Sequence, residues 1–268
     1  MPSTSATVYV TGASRGLGLA IVEKLLGDGV NVVTLQRTHS TELKALEKKY
    51  SNTLVNIIGS VTDTSDNETA VSKALERFGR LDAVVLNAGM GVMGTAANTE
   101  LPDWKAQFEV NFFGVVAGML AAVPALRESK LTGGGRVIIS GSVGGDLAPP
   151  GLAAYAASKA AVNSLARSLK NEEPSITAVS VHPGLVATDM VRELLRDGKE
   201  KVPAPIYNYF EAGMNAEKSG VTGGHASVPP EVPAKTFAWL ALNAPKELNG
   251  KFVTYNDEEV AKQVEAST

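Results

Sequence analysis

The chain has 268 residues and a mass of 27.9 kDa, enough for one large domain that buries roughly 75% of its unfolded surface. Its 25 Lys+Arg against 28 Asp+Glu leave a net charge of -3, which excludes a strongly basic footprint for nucleic acid or an anionic membrane. With 44% apolar residues and no cysteine, it is neither a disordered chain nor a user of disulfides, thiolate metal sites or cysteine nucleophiles, and the cytosol is its natural compartment.

Met1 to Thr7 carries no basic start followed by an apolar run, so no secretory signal is read there. Val8 to Val10 reads as a strand and Gly12 to Gly18 as a turn. Leu17, Ile21 and Leu25 recur at helical spacing, with Gly27 as the stop. Val30 to Leu35 is a second strand, Thr41 to Tyr50 a short helix with Leu43 and Leu46 inward, and Leu54 to Ile58 a third strand. Asp66 to Phe78 is a helix ended by Gly79, and Ala83 to Leu86 a fourth strand. Asp103 to about Arg127 reads as one long helix. Its uncharged part, Val110 to Leu126, falls short of the ~20 apolar residues of a membrane span. Arg136 to Ser140 and Thr177 to Val181 are strands either side of a helix from Ala154 to about Asn171. Met190 to Val228, rich in Gly and Pro, reads as an irregular substrate lid. Pro233 to Asn243 is a helix and Lys251 to Thr254 a last strand. Ala266-Ser267-Thr268 matches no lipidation or peroxisomal signal.

Strands that are apolar on both faces, alternating with helices, predict a single α/β domain over 1–268: a Rossmann-type, doubly wound parallel sheet of about seven strands. Ligands bind such sheets at the carboxyl ends of the strands, where the segment 190–228 follows strand six.

Three patterns carry chemistry. Thr11-Gly12-Ala13-Ser14-Arg15-Gly16-Leu17-Gly18 joins a strand to a helix, so a pyrophosphate can approach the backbone at a helix N-terminus. Its spacing is Gly-x3-Gly-x-Gly rather than the commoner G-x-G-x-x-G. The second strand ends Leu35-Gln36-Arg37-Thr38, with no acid for a ribose hydroxyl. Arg37 and Arg15 could instead clamp a 2'-phosphate, which selects NADP(H). The plainer alternative is two solvated arginines. Tyr155 and Lys159 share one helix face, and Ser142 lies just past strand five. A hydroxyl and a phenol can thus meet one substrate oxygen, and the ammonium would lower the phenol pKa.

The glycine turn, Asn87-Ala88-Gly89, Asn111, Ser142, Tyr155-x3-Lys159 and Pro183-Gly184 occur in this order. Together they resemble the short-chain dehydrogenase/reductase family over about residues 7–255. Val181 to Met190 is most similar to its small carbonyl-reductase branch. The resemblance implies sheet order 3-2-1-4-5-6-7 and an NADPH-dependent reductase of small or medium apolar or aromatic ketones. Tyr155 would be the general acid, Lys159 its tuner and a ribose ligand, Ser142 the holder of the substrate oxygen, and Asn111 a proton-relay member. The cofactor would lie on Gly12, Ser14, Arg15, Gly16, Leu17, Gly18 and Arg37. It would continue over Ser60 and Val61, Asn87, Ala88 and Gly89, Tyr155 and Lys159, then Pro183, Gly184, Val186 and Thr188. The family commonly has an acid at the adenine position where Ser60 stands here.

Ser142, Val143, Met93, Tyr155, Met190 and Tyr207 would line the substrate pocket, with Tyr209, Phe210 and Met214 adding aromatic or apolar surface. A dimer or tetramer would form through the helices bearing Asn111 and Tyr155. Their apolar faces are Phe112, Val115, Val116, Met119 and Val162, Leu165, Leu169, and these could equally pack on the sheet. His39, His182 and His225 have no metal-ligand spacing, so no catalytic metal is predicted. A non-catalytic NADP(H)-binding sensor or scaffold, oxidation of an alcohol on the same fold, and a non-redox isomerisation or cyclisation in the same pocket are the alternatives.

Overall fold

Seven runs of β-branched and aliphatic residues, each too short and too apolar for a solvent-facing helix, become the strands. They are β1 (Thr7–Thr11), β2 (Asn31–Gln36), β3 (Leu54–Ile58), β4 (Ala83–Leu86), β5 (Gly135–Ser140), β6 (Ile176–His182) and β7 (Phe252–Thr254). The computed structural model describes residues 5–219 and 227–266. His225, Gly220, Gly223, Gly224, Ser267 and Thr268 lie outside them.

All seven strands pair in parallel in the order β3-β2-β1-β4-β5-β6-β7, as predicted. Alternation along each strand feeds two cores. Val8, Val10 and Val32 face α1 (Gly16–Gly27) and α10 (Glu231–Asn243), while Tyr9, Val33 and Leu35 face the opposite layer. That second layer holds α3 (Thr64–Phe78), α5 (Gly114–Leu126) and α7 (Ala153–Glu172). The apolar faces of α5 and α7 resolve toward the sheet. Val115, Met119, Val162 and Leu169 are buried in that core, and Phe112, Val116 and Leu165 pack against it.

Helix α2 (Thr41–Lys49) is capped by Ser40 and α3 by Asp63, whose carboxylate accepts the Ser65 N–H at 2.8 Å. Gly79 closes α3 at φ 75°, the left-handed value glycine takes without strain. Two short or late elements were not anticipated: α6 (Gly144–Leu147) and α11 (Glu258–Ala266), which buries Val260 and Val264.

Two expectations are corrected. The long helix is three pieces: α4 (Leu101–Phe108), a π-helical turn at Glu109–Phe113, and α5. Taken whole, Leu101–Leu126 is 26 residues long and apolar enough by length and composition to cross a membrane, unlike Val110 to Leu126 alone. Its inward residues are nonetheless built into the sheet core. The segment 190–228 is not irregular where described, but forms α8 (Asp189–Gly198) and α9 (Ala204–Ser219). Val191, Leu194 and Leu195 stand at helical spacing. Pro205 falls in the first turn of α9, where a missing N–H costs nothing.

Candidate active site

At the carboxyl end of β1 the chain turns through Gly12 (φ 71°) and Gly16 (φ 56°) into α1. A Cβ on Gly12 would lie 2.9 Å from Ala88 Cα, and one on Gly18 would lie 2.1 Å from the Gly12 carbonyl oxygen. The turn is therefore packed tightly against the β4 end. Thr11 Oγ1 accepts the N–H groups of Asn87 and Ala88 at 3.0 and 3.1 Å. The Asn87 amide donates to the Thr11 carbonyl at 3.2 Å. The N-terminus of α1 has no side-chain cap, so its N–H groups and dipole are free for an anion. A dinucleotide pyrophosphate fits this glycine cradle.

Asn111 sits in the π-helical turn and is fully buried. Its Oδ1 accepts the Met90 N–H at 2.8 Å, and its Nδ2 donates to the Met90 carbonyl and to Ser158 Oγ at 2.9 and 3.0 Å. Ser158 Oγ donates in turn to the Tyr155 carbonyl at 2.7 Å. A Cβ imagined on Gly89 would lie 3.3 Å from Asn111 Oδ1 and 3.7 Å from Lys159 Nζ. The Asn-Ala-Gly segment thus adjoins both polar groups. Ser158 was missed at the sequence level, although it falls on the same helix as Tyr155 and Lys159.

Lys159 is buried, and its Nζ donates to the Ser140 carbonyl at 2.6 Å. Burial pulls its pKa from 10.5 to about 8. Nζ stands 5.7 Å from the centre of the Tyr155 ring. The Tyr155 phenol is raised by burial, and its hydrogen bond with Ser142 pulls the other way without prevailing. The expectation that the ammonium lowers the phenol is thus not met, because desolvation is the larger effect. The phenol stays protonated at neutral pH. Ser142 Oγ accepts the Gly144 N–H at 3.0 Å, and Asn163 holds the Ser142 carbonyl at 3.2 Å while accepting from Ser180 at 2.7 Å. Ser142 is thus anchored by a buried hydrogen-bond network.

An apolar cluster includes Tyr155. Met93, Leu152 and Val202 form a cluster with Tyr155, Leu194, Leu195, Ile206, Tyr207 and Phe210. Side chains of α8 and α9 therefore pack in the same cluster as Tyr155. Of the predicted pocket residues, Met93, Tyr155, Tyr207 and Phe210 come together. Val143 is half-buried beside Ser142, and Met190 lies in the first turn of α8 outside the cluster. Tyr209 is half exposed, with its ring edge on Phe210, and Met214 also stands apart. Leu194, Leu195 and Ile206 were missed because the segment was read as irregular.

Val186 pairs with Val228, and Thr188 touches Gly16, whose Cβ would lie 2.9 Å from Thr188 Cγ2. Gly184 (φ 81°) lies against Tyr255. The Ser60 hydroxyl turns into its own loop toward Thr62 Oγ1 at 2.9 Å, and its N–H donates to Asp66 at 2.8 Å. Arg37 is exposed and makes no hydrogen bond or ion pair among the described residues. Arg15 reaches elsewhere: its guanidinium forks onto Glu193 of α8 at 2.7 and 3.1 Å.

His182, ending β6, has an unpaired Nδ1, and burial pulls its pKa from 6.5 to about 4. Between these values the unfolded chain binds a proton that the folded protein refuses. The neutral ring's stability is present above pH 6.5 and is lost as pH falls toward about 4. Thermal melts across this window should show a drop in Tm that His182→Gln flattens. An unchanged slope would assign the drop to other groups.

A profile described as short chain dehydrogenase matches residues 6–199. An uncharacterized oxidoreductase of Schizosaccharomyces pombe is 34% identical over 250 residues, spanning 92% of this chain and 95% of its own. A benzil reductase, (S)-benzoin forming, of Saccharomyces cerevisiae is 32% identical over 266 residues, spanning 94% and 96%. A crystal structure of a short chain dehydrogenase/reductase from Saccharomyces cerevisiae superposes with a TM-score of 0.85 at 30% identity, covering 96% of this chain and 99% of the other.

Proposed function

The chain belongs to the short-chain dehydrogenase family, an oxidoreductase acting on alcohol or carbonyl groups, and we propose that within it this protein is an NADPH-dependent reductase of apolar, aromatic ketones. One observation carries the reading: Ser142, Tyr155, Lys159 and Asn111 gather beside an apolar wall built from the lid helices. The side chains of Met93, Leu194, Leu195, Tyr207 and Phe210 gathered with Tyr155 are apolar or aromatic, which suits an apolar substrate. The relative named for reducing benzil, a diaryl diketone, supports that class.

A bound nicotinamide would supply the hydride to the carbonyl carbon. The chain's own residues handle the oxygen. The Ser142 hydroxyl donates to the carbonyl oxygen and orients it. Tyr155 holds a proton on its phenol and passes it to that oxygen as negative charge develops. The Lys159 ammonium stabilises the phenolate left behind. Asn111 and Ser158 hold the helix turn and the backbone around this proton path. The same assignments run in reverse for alcohol oxidation; NADPH, which Arg37 and Arg15 favour, selects reduction. The reading also includes a cytosolic enzyme assembled as a dimer or tetramer. The apolar side chains left exposed on the Asn111 helix, Phe113 and Leu120, support the assembly.

The test is a fluorescence titration with NADPH and NADH, followed by NADPH consumption with diaryl ketones. Arg37→Asp should weaken NADPH about ten- to a hundredfold, the worth of a charged hydrogen bond, and spare NADH. Equal binding of both cofactors, unmoved by the variant, would reject the NADPH assignment.

A further inference from the structure

We propose that Glu193 competes with the cofactor's 2'-phosphate for Arg15, and so sets how strongly the protein prefers the phosphorylated dinucleotide; this rests on the NADPH reading above. Arg15 immediately precedes α1 in the glycine turn. Its Nη1 and Nη2 lie 2.7 and 3.1 Å from the two Glu193 carboxylate oxygens, and Nη1 lies 3.6 Å from Asp189 Oδ2. Both acids belong to α8, whose Leu194 and Leu195 pack onto the Tyr155 pocket. The pair sits at the junction where Thr188 meets Gly16, between the phosphate cradle and the lid.

A guanidinium fork binds one oxyanion in the bidentate manner at a time. A phosphate that takes Arg15 must therefore displace Glu193, and an ionised carboxylate left beside the phosphate repels it. NADH carries no 2'-phosphate and leaves the pair intact. Arg15 and Glu193 are 53% and 43% exposed, and ion pairs of that kind are weak. The pair is thus too weak to hold α8 shut, which its apolar contacts do instead. It is strong enough to tax NADPH binding by a measurable factor. Asp189 is a lesser competitor, because its other oxygen already pairs with Arg192 at 2.8 Å.

The measurement is the Kd of the intact protein and of Glu193→Gln for NADPH and NADH, by fluorescence at low ionic strength. Glu193→Gln should tighten NADPH about two- to fivefold and leave NADH unchanged. Raising the salt should shrink the difference. No change, a weaker NADPH complex, or an equal shift for both cofactors would overturn the proposal. A wild-type protein that prefers NADPH yet ignores Glu193→Gln sinks this proposal alone. A wild-type protein with no preference, and with Arg37→Asp silent, sinks the NADPH reading and this proposal with it. Far-UV circular dichroism confirms that the variant, changed at a half-exposed position, is folded.

Discussion

Tyr155→Phe should lower kcat/KM for ketone reduction by about 10²–10⁴-fold, the range for losing a positioned general acid. NADPH affinity should stay within a few-fold of wild type. The substitution removes one oxygen and keeps the ring, which packs with Met93, Leu152 and Leu194. Pocket shape therefore survives while the proton donor is lost. Ser142 still orients the carbonyl, and its own anchors, the Gly144 N–H and the Asn163 amide, do not involve the phenol. Some residual hydride transfer should persist, with water as the proton source. The phenol is raised above its ordinary range by burial, so it is a competent acid throughout the neutral range and its own titration falls well to the alkaline side. Steady-state rates with NADPH and a diaryl ketone, beside a cofactor titration, make the comparison. A variant with full activity would remove Tyr155 from the reaction. One that loses cofactor binding to the same degree would make its role structural.

The parallel sheet was readable because each strand declares itself by apolar composition, and the connections between strands are long enough to be helices. Tyr9 between Val8 and Val10 shows the limit of that reading. All three are buried, yet they face different cores, and only the sheet reveals which. The candidate site residues stand out in the sequence because their types and order are unusual together: Gly-x3-Gly-x-Gly after a strand, then Asn111, Ser142, Tyr155 and Lys159. What was not legible depends on backbone irregularity. A π-helical turn adds one residue, about 100° of helical phase, but from Val110 to Leu126 too few polar residues mark a face against which that shift could be read. Yet that turn aims Asn111 at Met90 and Ser158. The segment 190–228 was misread for a different reason. Pro203 and Pro205 suggest a broken segment, while in space they mark where α9 begins. The direction of the Tyr155 pKa was also beyond the sequence, because burial decides it and burial is a tertiary property. So was the partner of Arg15, which lies 178 residues away.

Lys159→Met should cost at least about a hundredfold in kcat/KM, the scale of losing a preorganised charge beside a developing anion. Methionine fills the channel of the lysine stem, and only the cation and its bond to the Ser140 carbonyl disappear. The pH profile separates a chemical role from a packing one. Burial sets the Lys159 pKa at about 8. The ammonium is the form that stabilises a phenolate, so it is present below that pH and lost above it. The wild-type rate of reduction should be flat on the acid side and fall as pH rises through about 8. The Tyr155 phenol, pushed upward, deprotonates later and does not produce that limb. In Lys159→Met the limb should vanish, leaving a low rate that is flat across the same range. A variant that keeps the fall near pH 8 would assign it to another group, and a variant of normal rate would leave Lys159 a buried cation with no catalytic part. The stability sign is opposite. A buried base with a lowered pKa penalises the fold while it is charged, so wild-type stability should rise as pH climbs from about 8 to 10.5, where the unfolded chain still holds the proton. Activity and stability should therefore move in opposite directions across the same titration, an outcome that misfolding cannot imitate.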